Sequence, residues 1–370
     1  MEGRVAGRQS CSVYLSELLF LTLILKLRAF IMRPSAYSHI LSAVIALASS
    51  LLLAACSFVH EDLPPCEHRL HFVYDYNMKF ADAWPHEADQ VSLFIFDEEG
   101  NYLKEMNISA DEARANNILL DLQPGTYRML AWTGLTCNDY LCLATSADRT
   151  TSHIEDYSVR LTAEAQRVDR DLVPLFYGMH TVTIPDAATS DIRFPLMKDT
   201  NTFRLIVQAD AGNKSGSIPS DEFEFSITDD NAWLTYSNQV VAKGHPLTYA
   251  PYYLGDGDVH DPEGNVVLTT TCAELNTNRL TYGTHPRLTI RHKPTNKVWL
   301  NVDLIEYLML MPTEGSLDKM LDREHPQQEY LDREDEYVIV FFFTEGAGGN
   351  MINVRITING WTVRLNNVEM

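Results

Sequence analysis

The sequence predicts an all-β protein made of two tandem β-sandwich domains that follow a lipoprotein signal peptide. Alternating or apolar segments recur throughout the chain, and turn residues separate them roughly every 8–12 residues, which is typical of sandwiches. Aromatic residues make up 10% of the 370 residues, and 17 of them are tyrosines, which favours strands over helices. Near the N-terminus, an apolar run ends in a cysteine.

The first sandwich is predicted over residues 67–198. An apolar run at 91–97 is followed by a turn containing Gly100, and the chain returns at 102–108, so these residues predict a hairpin. Residues 109–116 predict a short helix, because Ser109 is a good N-cap and acidic residues follow in the first turn. The strands predicted in this half are 69–76, 91–97, 102–108, 118–122, 126–132, 180–184 and 192–197.

The second sandwich is predicted over residues 199–370, after a hinge at 198–201 (KDTN). Residues 304–311 predict a helix that Pro312 ends. Alternation near the C-terminus predicts a final strand pair with one buried face and one exposed face. The strands predicted in this half are 202–209, 223–228, 233–237, 266–272, 287–291, 298–302, 337–344, 352–358 and 361–365.

Residues 1–55 are interpreted as a signal peptide. The apolar run 40–55 follows Arg33 and is too short to span a membrane, but it suits the core of an export signal. Small residues precede Cys56, which predicts cleavage between Ala55 and Cys56, with an S-diacylglycerol and an N-acyl group on that cysteine. The alternative is an ordinary signal peptide with a chance cysteine. Export signals begin at a chain terminus, so Met32 is the expected start, and residues 1–31 are interpreted as a mis-annotated extension.

Charge excludes several classes of partner. The formal net charge of the chain is −21, and from Cys56 onward there are 24 basic and 48 acidic residues. A surface this acidic repels phosphate backbones, so nucleic acid is excluded as a partner, as is membrane attachment through basic patches. Lipid must therefore hold the chain at a membrane, through a tether at 56–66 that two prolines stiffen.

Cysteines remain in the mature chain at positions 66, 137, 142 and 272, whereas Cys11 precedes the expected start. An exported protein meets an oxidising compartment, so a disulfide is plausible. The preferred pairing is Cys66 with Cys137 or with Cys142. The alternative is that these cysteines are buried free thiols.

Three segments resemble ligand sites without meeting their requirements. Residues 254–264 contain Asp256, Asp258 and Asp261 but lack the glycine and glutamate of an EF-hand, so a solvated turn is expected there. The glycines at 346–350 lack the ending of a phosphate loop, and a hairpin turn is expected. His68 and His71 should face opposite sides of a strand and cannot share a metal. We therefore expect no catalytic residue, metal or cofactor.

From Cys56 on, the sequence resembles the FimB-type fimbrial anchor lipoproteins of the Bacteroidetes fimbrillin superfamily. The segments that carry the resemblance are 62–66 (DLPPC), 69–78 (RLHFVYDYNM), 88–101 (ADQVSLFIFDEEGN), 172–178 (LVPLFYG), 197–203 (MKDTNTF), 273–280 (AELNTNRL) and 358–368 (INGWTVRLNNV). The extension 1–31 departs from the family pattern. The resemblance implies two transthyretin-like sandwiches, an outer-membrane location and a lipid-anchored base that limits fibre length.

The functional prediction is therefore a non-enzymatic anchor subunit of a surface fimbrium. Its expected partners are pilin subunits, bound by strand complementation, and the outer membrane, bound through lipid. The alternative is a surface glycan-binding lipoprotein, for which Trp84, Trp233 and Trp299 are candidate sugar platforms. A secreted hydrolase on a β scaffold is the third reading, and it is disfavoured because no catalytic set is found.

Overall fold

The architecture was obtained from a computed structural model of the chain. It describes residues 67–135, 139–144, 149–186, 188–210, 218–310, 324–345 and 351–364, together with Val44. Cys66–Met370 groups as one compact unit.

The described residues form 22 strands, numbered in chain order. The strands of the first half are β1 (His68–Val73), β2 (Val91–Phe96), β3 (Tyr102–Ile108), β4 (Ile118–Leu120), β5 (Gly125–Thr133), β6 (Tyr140–Ala144), β7 (Tyr157–Leu161), β8 (Arg167–Val168), β9 (Phe176–Ile184), β10 (Ser190–Pro195) and β11 (Met197–Lys198). Those of the second half are β12 (Asn201–Ala209), β13 (Phe223–Asp229), β14 (Trp233–Thr235), β15 (Leu247–Tyr249), β16 (Tyr253–His260), β17 (Val266–Thr277), β18 (Arg287–His292), β19 (Lys297–Asp303), β20 (Glu336–Glu345), β21 (Met351–Ile358) and β22 (Trp361–Arg364).

Short helices connect some of the strands. They are α1 (Trp84–Glu87), α2 (Ala110–Ala115), α3 (Leu304–Leu308) and α4 (Pro326–Arg333). The predicted helix at 109–116 is confirmed as α2, and Ser109 and Glu112 form a capping box at its N-terminus. The second predicted helix is confirmed as α3, with Asp303 as its N-cap.

Each half has one sheet in which a central strand pairs in parallel with a later strand. In the first half the sheet order is β10-β1-β4, and β1 runs parallel to β10. In the second half the order is β16-β17-β12-β20-β21-β22, and β12 runs parallel to β20. The first strand of each half therefore lies inside its sheet, with an antiparallel neighbour on the other side.

Facing sheets complete the layers. A five-stranded sheet, β11-β9-β5-β2-β3, packs on β10-β1-β4 around a core that includes Leu70, Phe72, Trp84, Phe176 and Phe194. The other five-stranded sheet, β19-β18-β13-β15-β8, shares a second core with the six-stranded sheet. The predicted all-β sandwich fold is confirmed.

The second core reaches into the first half. All six residues of β2 are buried: Val91, Leu93 and Ile95 belong to the first core, whereas Phe94 and Phe96 belong to the second. Strands also cross the division, because β7 pairs with β14 and β8 pairs with β15. The division into two domains, 67–198 and 199–370, stays a prediction, and the halves it names share one core.

Most predicted strands are confirmed within a few residues, and one segment was interpreted wrongly. Residues 254–264 were expected to be a solvated turn, but Tyr253–His260 is a strand paired along its whole length with β17, and only the following residues turn. Ladder hydrogen bonds there outweigh the low strand propensity of Asp and Gly. The predicted glycine turn at 346–350 lies outside the described residues.

Candidate functional site

Sheet edges are the first feature that a fibre subunit can use, because an edge strand has unpaired backbone groups on one side. The six-stranded sheet ends at β16 and at β22, and β16 is the longer of the two, with eight residues. Within the described residues, the ladder of β16 is formed with β17 alone. In the described part of the chain, the outer side of β16 therefore forms no sheet ladder.

The edge strand β16 combines glycines in its middle with exposed apolar side chains at its start. Gly255 and Gly257 alternate with two aspartates along the strand. Added Cβ atoms at these glycines would meet Tyr253 Oη at 2.5 Å and Thr270 Oγ1 at 2.9 Å, so both positions are closely covered by neighbouring side chains. Tyr253 and Leu254 are exposed at the start of the strand, and Val266 and Val267 are exposed on the adjoining β17. Among the described residues, this edge thus combines backbone outside any second ladder with apolar surface.

The three aspartates near this edge have separate hydrogen-bond partners. Asp256 accepts from the backbone N–H of Ser220 at 2.7 Å, and Asp258 accepts from Thr269 Oγ1 at 3.3 Å. Asp261 accepts from the backbone and side chain of Asn265 at 2.7 and 3.0 Å. These hydrogen bonds lower the pKa values of Asp256 and Asp261. Each carboxylate thus has its own protein partner.

A polar junction joins the two halves at the predicted hinge. Lys198 Nζ lies 2.7 Å from Asp335, which belongs to the second half, and 3.4 Å from Glu87, which belongs to the first. These contacts tie β11, the last strand of the first half, to both halves. Burial alone would lower the pKa of this ammonium, but the two carboxylates raise it above its usual value. Lys198 is therefore a buried cation that two carboxylates hold.

Asp199 is 1% exposed and lies beside a second cation of the junction. Its Oδ1 accepts from Asn238 Nδ2 at 2.8 Å and lies 3.9 Å from Arg279 Nε, whereas Arg279 pairs closely with Asp332 at 2.9 Å. In the described part of the chain, Asp199 Oδ2 is buried and has no hydrogen-bond partner. Burial raises the pKa of Asp199 to about 7, and nearby Arg279 opposes that shift.

The residues predicted to be lipidated and cleaved, Cys56 and Ala55, lie outside the described residues, as do Cys66 and Cys137. Cys142 is half-buried on β6. Cys272 is a free, half-buried thiol on β17, and burial raises its pKa. The lipidation at Cys56 and the disulfide among Cys66, Cys137 and Cys142 therefore stay predictions.

The three candidate sugar platforms differ in what they present to solvent. Trp84 is 0% exposed and donates its indole N–H to the carbonyl of Ala113 at 3.1 Å, so it is a core residue. Trp299 is partly buried and stacks on His292, with Phe223 and Phe343 nearby. Trp233 is the one of the three that lines an open groove.

One group in the described residues has the composition of a metal site. Ligand atoms of His285, Asp303 and Glu306 lie within 4.8 Å of one another. Asp303 Oδ2 lies 2.6 Å from His285 Nδ1, and Asp303 Oδ1 accepts from the backbone N–H of Glu306 at 3.1 Å. These contacts fit a helix cap with a histidine partner, and His68 and His71 likewise have separate partners in Ser190 and Asn116.

No helix of the described residues has both the length and the apolar composition that crossing a membrane requires. A comparison with curated proteins gave no match. A comparison with solved structures gave several relatives that match most of this chain.

A candidate adhesin from Bacteroides thetaiotaomicron is 33% identical, and the alignment covers 82% of this chain and 100% of that one, with a TM-score of 0.71. A candidate polysaccharide-binding protein from the same organism is 28% identical, with 81% and 98% covered and a TM-score of 0.68. The fimbrial anchor protein Mfa2 from Porphyromonas gingivalis is 17% identical, with 81% and 99% covered and a TM-score of 0.57, which supports the shared fold.

The sequence profile of the fimbrillin-A associated anchor proteins Mfa1 and Mfa2 matches residues 63–367, which is most of the chain. That family consists of fimbrial anchor and structural proteins rather than enzymes, and it indicates a location at the cell surface. The resemblance inferred from the sequence is confirmed: this chain belongs to the Mfa2 family of fimbrial anchor proteins.

Proposed function

We propose that this chain is the lipid-anchored base subunit of a surface fimbrium, which tethers the fibre to the outer membrane and limits its length. The family match over residues 63–367 is the observation that supports this most strongly. The apolar run that ends at Cys56 supplies the second requirement of a base, which is attachment to a membrane.

Attachment is proposed to depend on the acyl chains at Cys56. Each buried methylene contributes about 0.8 kcal/mol, so one chain binds marginally and two or more bind stably. Replacing Cys56 by Ala should move the protein from the membrane fraction to the soluble fraction and abolish labelling with radioactive palmitate. Cys272→Ala is the matched control, and it should keep both the label and the membrane location. Labelling of the Cys56→Ala protein would refute this assignment.

Fibre subunits are proposed to bind by strand addition at the outer edge of β16. An added strand would gain main-chain hydrogen bonds from the edge, and the exposed Tyr253 and Leu254 offer apolar contact beside it. Cooperative, shielded backbone hydrogen bonds would give such a junction a long lifetime.

Site-specific photocrosslinking tests which edge is used. A photoreactive amino acid at Leu254, which is 39% exposed on β16, should crosslink to a fimbrial subunit in intact cells. The matched control is Leu119, which is 53% exposed on β4 at the edge of a different sheet, and it should give no adduct. Adducts at Leu119 with none at Leu254 would move the pairing site to the first half.

Deletion of the gene tests the role as a base. Cells that lack the protein should shed their fibres into the medium, and the fibres should be longer than normal because nothing ends their assembly at the membrane. In the parent strain, the protein should copurify with the fimbrium at a low, constant ratio to the major subunit. Fibres that stay cell-bound at unchanged length would argue against the anchor role.

Glycan binding is the second candidate function. The observation that favours it is the open groove beside Trp233, and a relative that is 28% identical is described as a candidate polysaccharide-binding protein. A carbohydrate array probed with the purified protein would separate this function from the first. Binding to an array with normal fibres in the deletion strain would favour it.

A further inference from the structure

Trp233 lies at the start of β14 and has two cations against its ring. The Arg160 guanidinium carbon lies 5.3 Å from the ring centroid, and Lys243 Nζ lies 5.2 Å from it. Both distances are within the range of cation–π contacts. Arg160 comes from β7, the strand that pairs with β14, so sheet pairing brings it beside the indole.

Neither cation has a carboxylate partner in the part of the chain that the structure describes. By contrast, two nearby arginines have carboxylate partners: Arg167 pairs with Asp169 at 3.0 Å, and Arg170 pairs with Asp139 at 2.6 Å. From Cys56 onward the chain has twice as many acidic as basic residues, so two cations on one ring differ in charge from most of its surface. Within the described residues, no ion pair offsets these two positive charges.

The two cations line an open groove of about 640 Å³, which we call the Trp233 groove. Its wall also includes Thr162, Gln166 and His245, which can form hydrogen bonds, and the partly buried indole supplies apolar surface. This volume is within the usual range for small-molecule sites, about 300–1,000 Å³. The groove can therefore hold a small ligand that has both polar and apolar faces.

A strained turn places Gln166 in this wall. Arg167 N–H donates to the carbonyl of Glu164 at 2.9 Å, and the two residues between them, Ala165 and Gln166, have φ angles of +48° and +57°. Glycine or asparagine usually occupies such positions, because positive φ is unfavourable for other residues. Strain of this kind is frequent where a side chain serves a binding site.

We propose that the Trp233 groove binds an acidic sugar, with the carboxylate of a uronate-type ring held by Arg160 and Lys243 and its hydroxyl groups by the polar wall. An arginine and a lysine recognise a carboxylate through charge-assisted hydrogen bonds. A short oligosaccharide with one carboxylate per ring suits this site better than a long polyanion, which the net charge of the whole chain would repel. The inference rests on the glycan-binding candidate, for which it names the ligand class and the binding residues. It does not depend on the anchor function, because a failure to bind sugars would leave the fimbrial role unchanged.

The test uses the full lipoprotein purified in detergent and isothermal titration with three probes: a galacturonic acid trimer, a neutral galactose trimer and a short peptide of alternating Asp and Glu. The uronate trimer should bind saturably, and the neutral trimer and the peptide should bind at least about tenfold more weakly. Added salt should weaken the binding of the uronate.

Variants locate the site. Arg160→Gln combined with Lys243→Gln should weaken uronate binding at least about tenfold, because two charged hydrogen bonds are lost. Lys243→Gln alone removes an exposed side chain and should weaken binding without affecting the fold. The matched control removes two charges elsewhere, at Lys79 and Arg114, and should change affinity by less than about twofold.

Several results would overturn the proposal. They are equal binding of the neutral and acidic trimers, unchanged binding by the Lys243→Gln protein, and saturable binding of the acidic peptide in the absence of uronate binding. The last result would indicate a protein partner for the groove.

Discussion

Three buried or half-buried carboxyl groups, Asp199, Asp229 and Glu334, predict a dependence of stability on pH. Burial raises the pKa of Asp199 and of Glu334 to about 7 and that of Asp229 to about 6. Each of these values lies above that of the same group in the unfolded chain, so the folded state keeps a proton that the unfolded state has released. The stability associated with these groups is therefore greatest at low pH and is lost as the pH rises to about 7.

Replacing Asp199 by Asn should remove part of this dependence. The Asn side chain stays neutral, can still accept from Asn238, and loses no proton between pH 4 and 7. The melting temperature of the variant should rise relative to that of the parent as the pH increases through this window, by the equivalent of a few kcal/mol at most. Thermal unfolding followed by circular dichroism between pH 4 and 8 measures the difference.

Asp111→Asn is the control for this experiment, because the Asp111 side chain is 97% exposed. Its melting temperature should follow that of the parent at every pH. Parallel curves for the parent and the Asp199→Asn protein would show that Asp199 is ionised in the folded state throughout the range.

At the scale of elements, close approach of the strands depends on one glycine in β9. A Cβ atom at Gly178 would lie 2.7 Å from the carbonyl oxygen of Pro195 and 2.7 Å from the Phe194 ring. The Pro195 oxygen belongs to the backbone and cannot move without shifting β10. The sheet β10-β1-β4 therefore packs on its partner sheet at a distance that requires glycine at this position.

Gly178→Ala should destabilise the protein by about 1–3 kcal/mol, because overpacking forces the backbone of β10 to move. Gly255→Ala is a matched strand substitution, and its nearest neighbours belong to the flexible ring of Tyr253. It should cost less than about 1 kcal/mol. Chemical denaturation of the three proteins measures both changes, and equal costs for the two variants would contradict this account of the packing.

Local patterns predicted the elements whose signals lie within a few residues. The hairpin of β2 and β3 and the cap at Ser109 are of this kind, since their turn and capping residues stand next to the strands or helix they bound. Helix α4 has such a signal in Pro326 at its N-terminus, and it could have been found from the sequence. Strand β16 could not, because Asp and Gly favour turns, and its pairing with β17 is a property of the sheet.

The structure of the polar junction at 198–201 and of the Trp233 groove depends on residues that are distant in the sequence. The polar run at 198–201 predicted a hinge, yet Asp199, Thr200 and Asn201 are buried. Each has a hydrogen-bond partner distant in the chain: Asn238 for Asp199, Tyr140 for Thr200 and Asn278 for Asn201. Arg160 reaches Trp233 through strand pairing, and Lys243 reaches it from the loop after β14. No pattern within a few residues of Trp233 predicts either contact. Sequence reasoning had singled out Trp233 without its cations.

At the scale of the whole molecule, the shared core predicts how the two halves unfold. Phe94, Phe96, Leu130 and Trp132 of the first half pack in the same core as Phe203 and Leu205 of the second. Unfolding either half would expose apolar surface of both halves to water, and each Å² exposed costs about 25 cal/mol of free energy. The described unit should therefore unfold as one cooperative system.

Calorimetry tests this prediction, and a single transition with equal calorimetric and van't Hoff enthalpies is expected. Circular dichroism in the far and near ultraviolet should report the same midpoint. Two separated transitions would show that the halves 67–198 and 199–370 are thermodynamically independent.

The position of β1 has a mechanical consequence for a fibre base. Since the proposed tether ends beside His68, tension between the membrane and the fibre would enter the fold at the start of β1. That strand is flanked by β10, in parallel register over six residues, and by β4 on its other side. A load along β1 would shear several hydrogen bonds at once instead of opening them one after another. If the proposed lipid holds the chain at the membrane, the protein would resist pulling through the arrangement of its first strand as well.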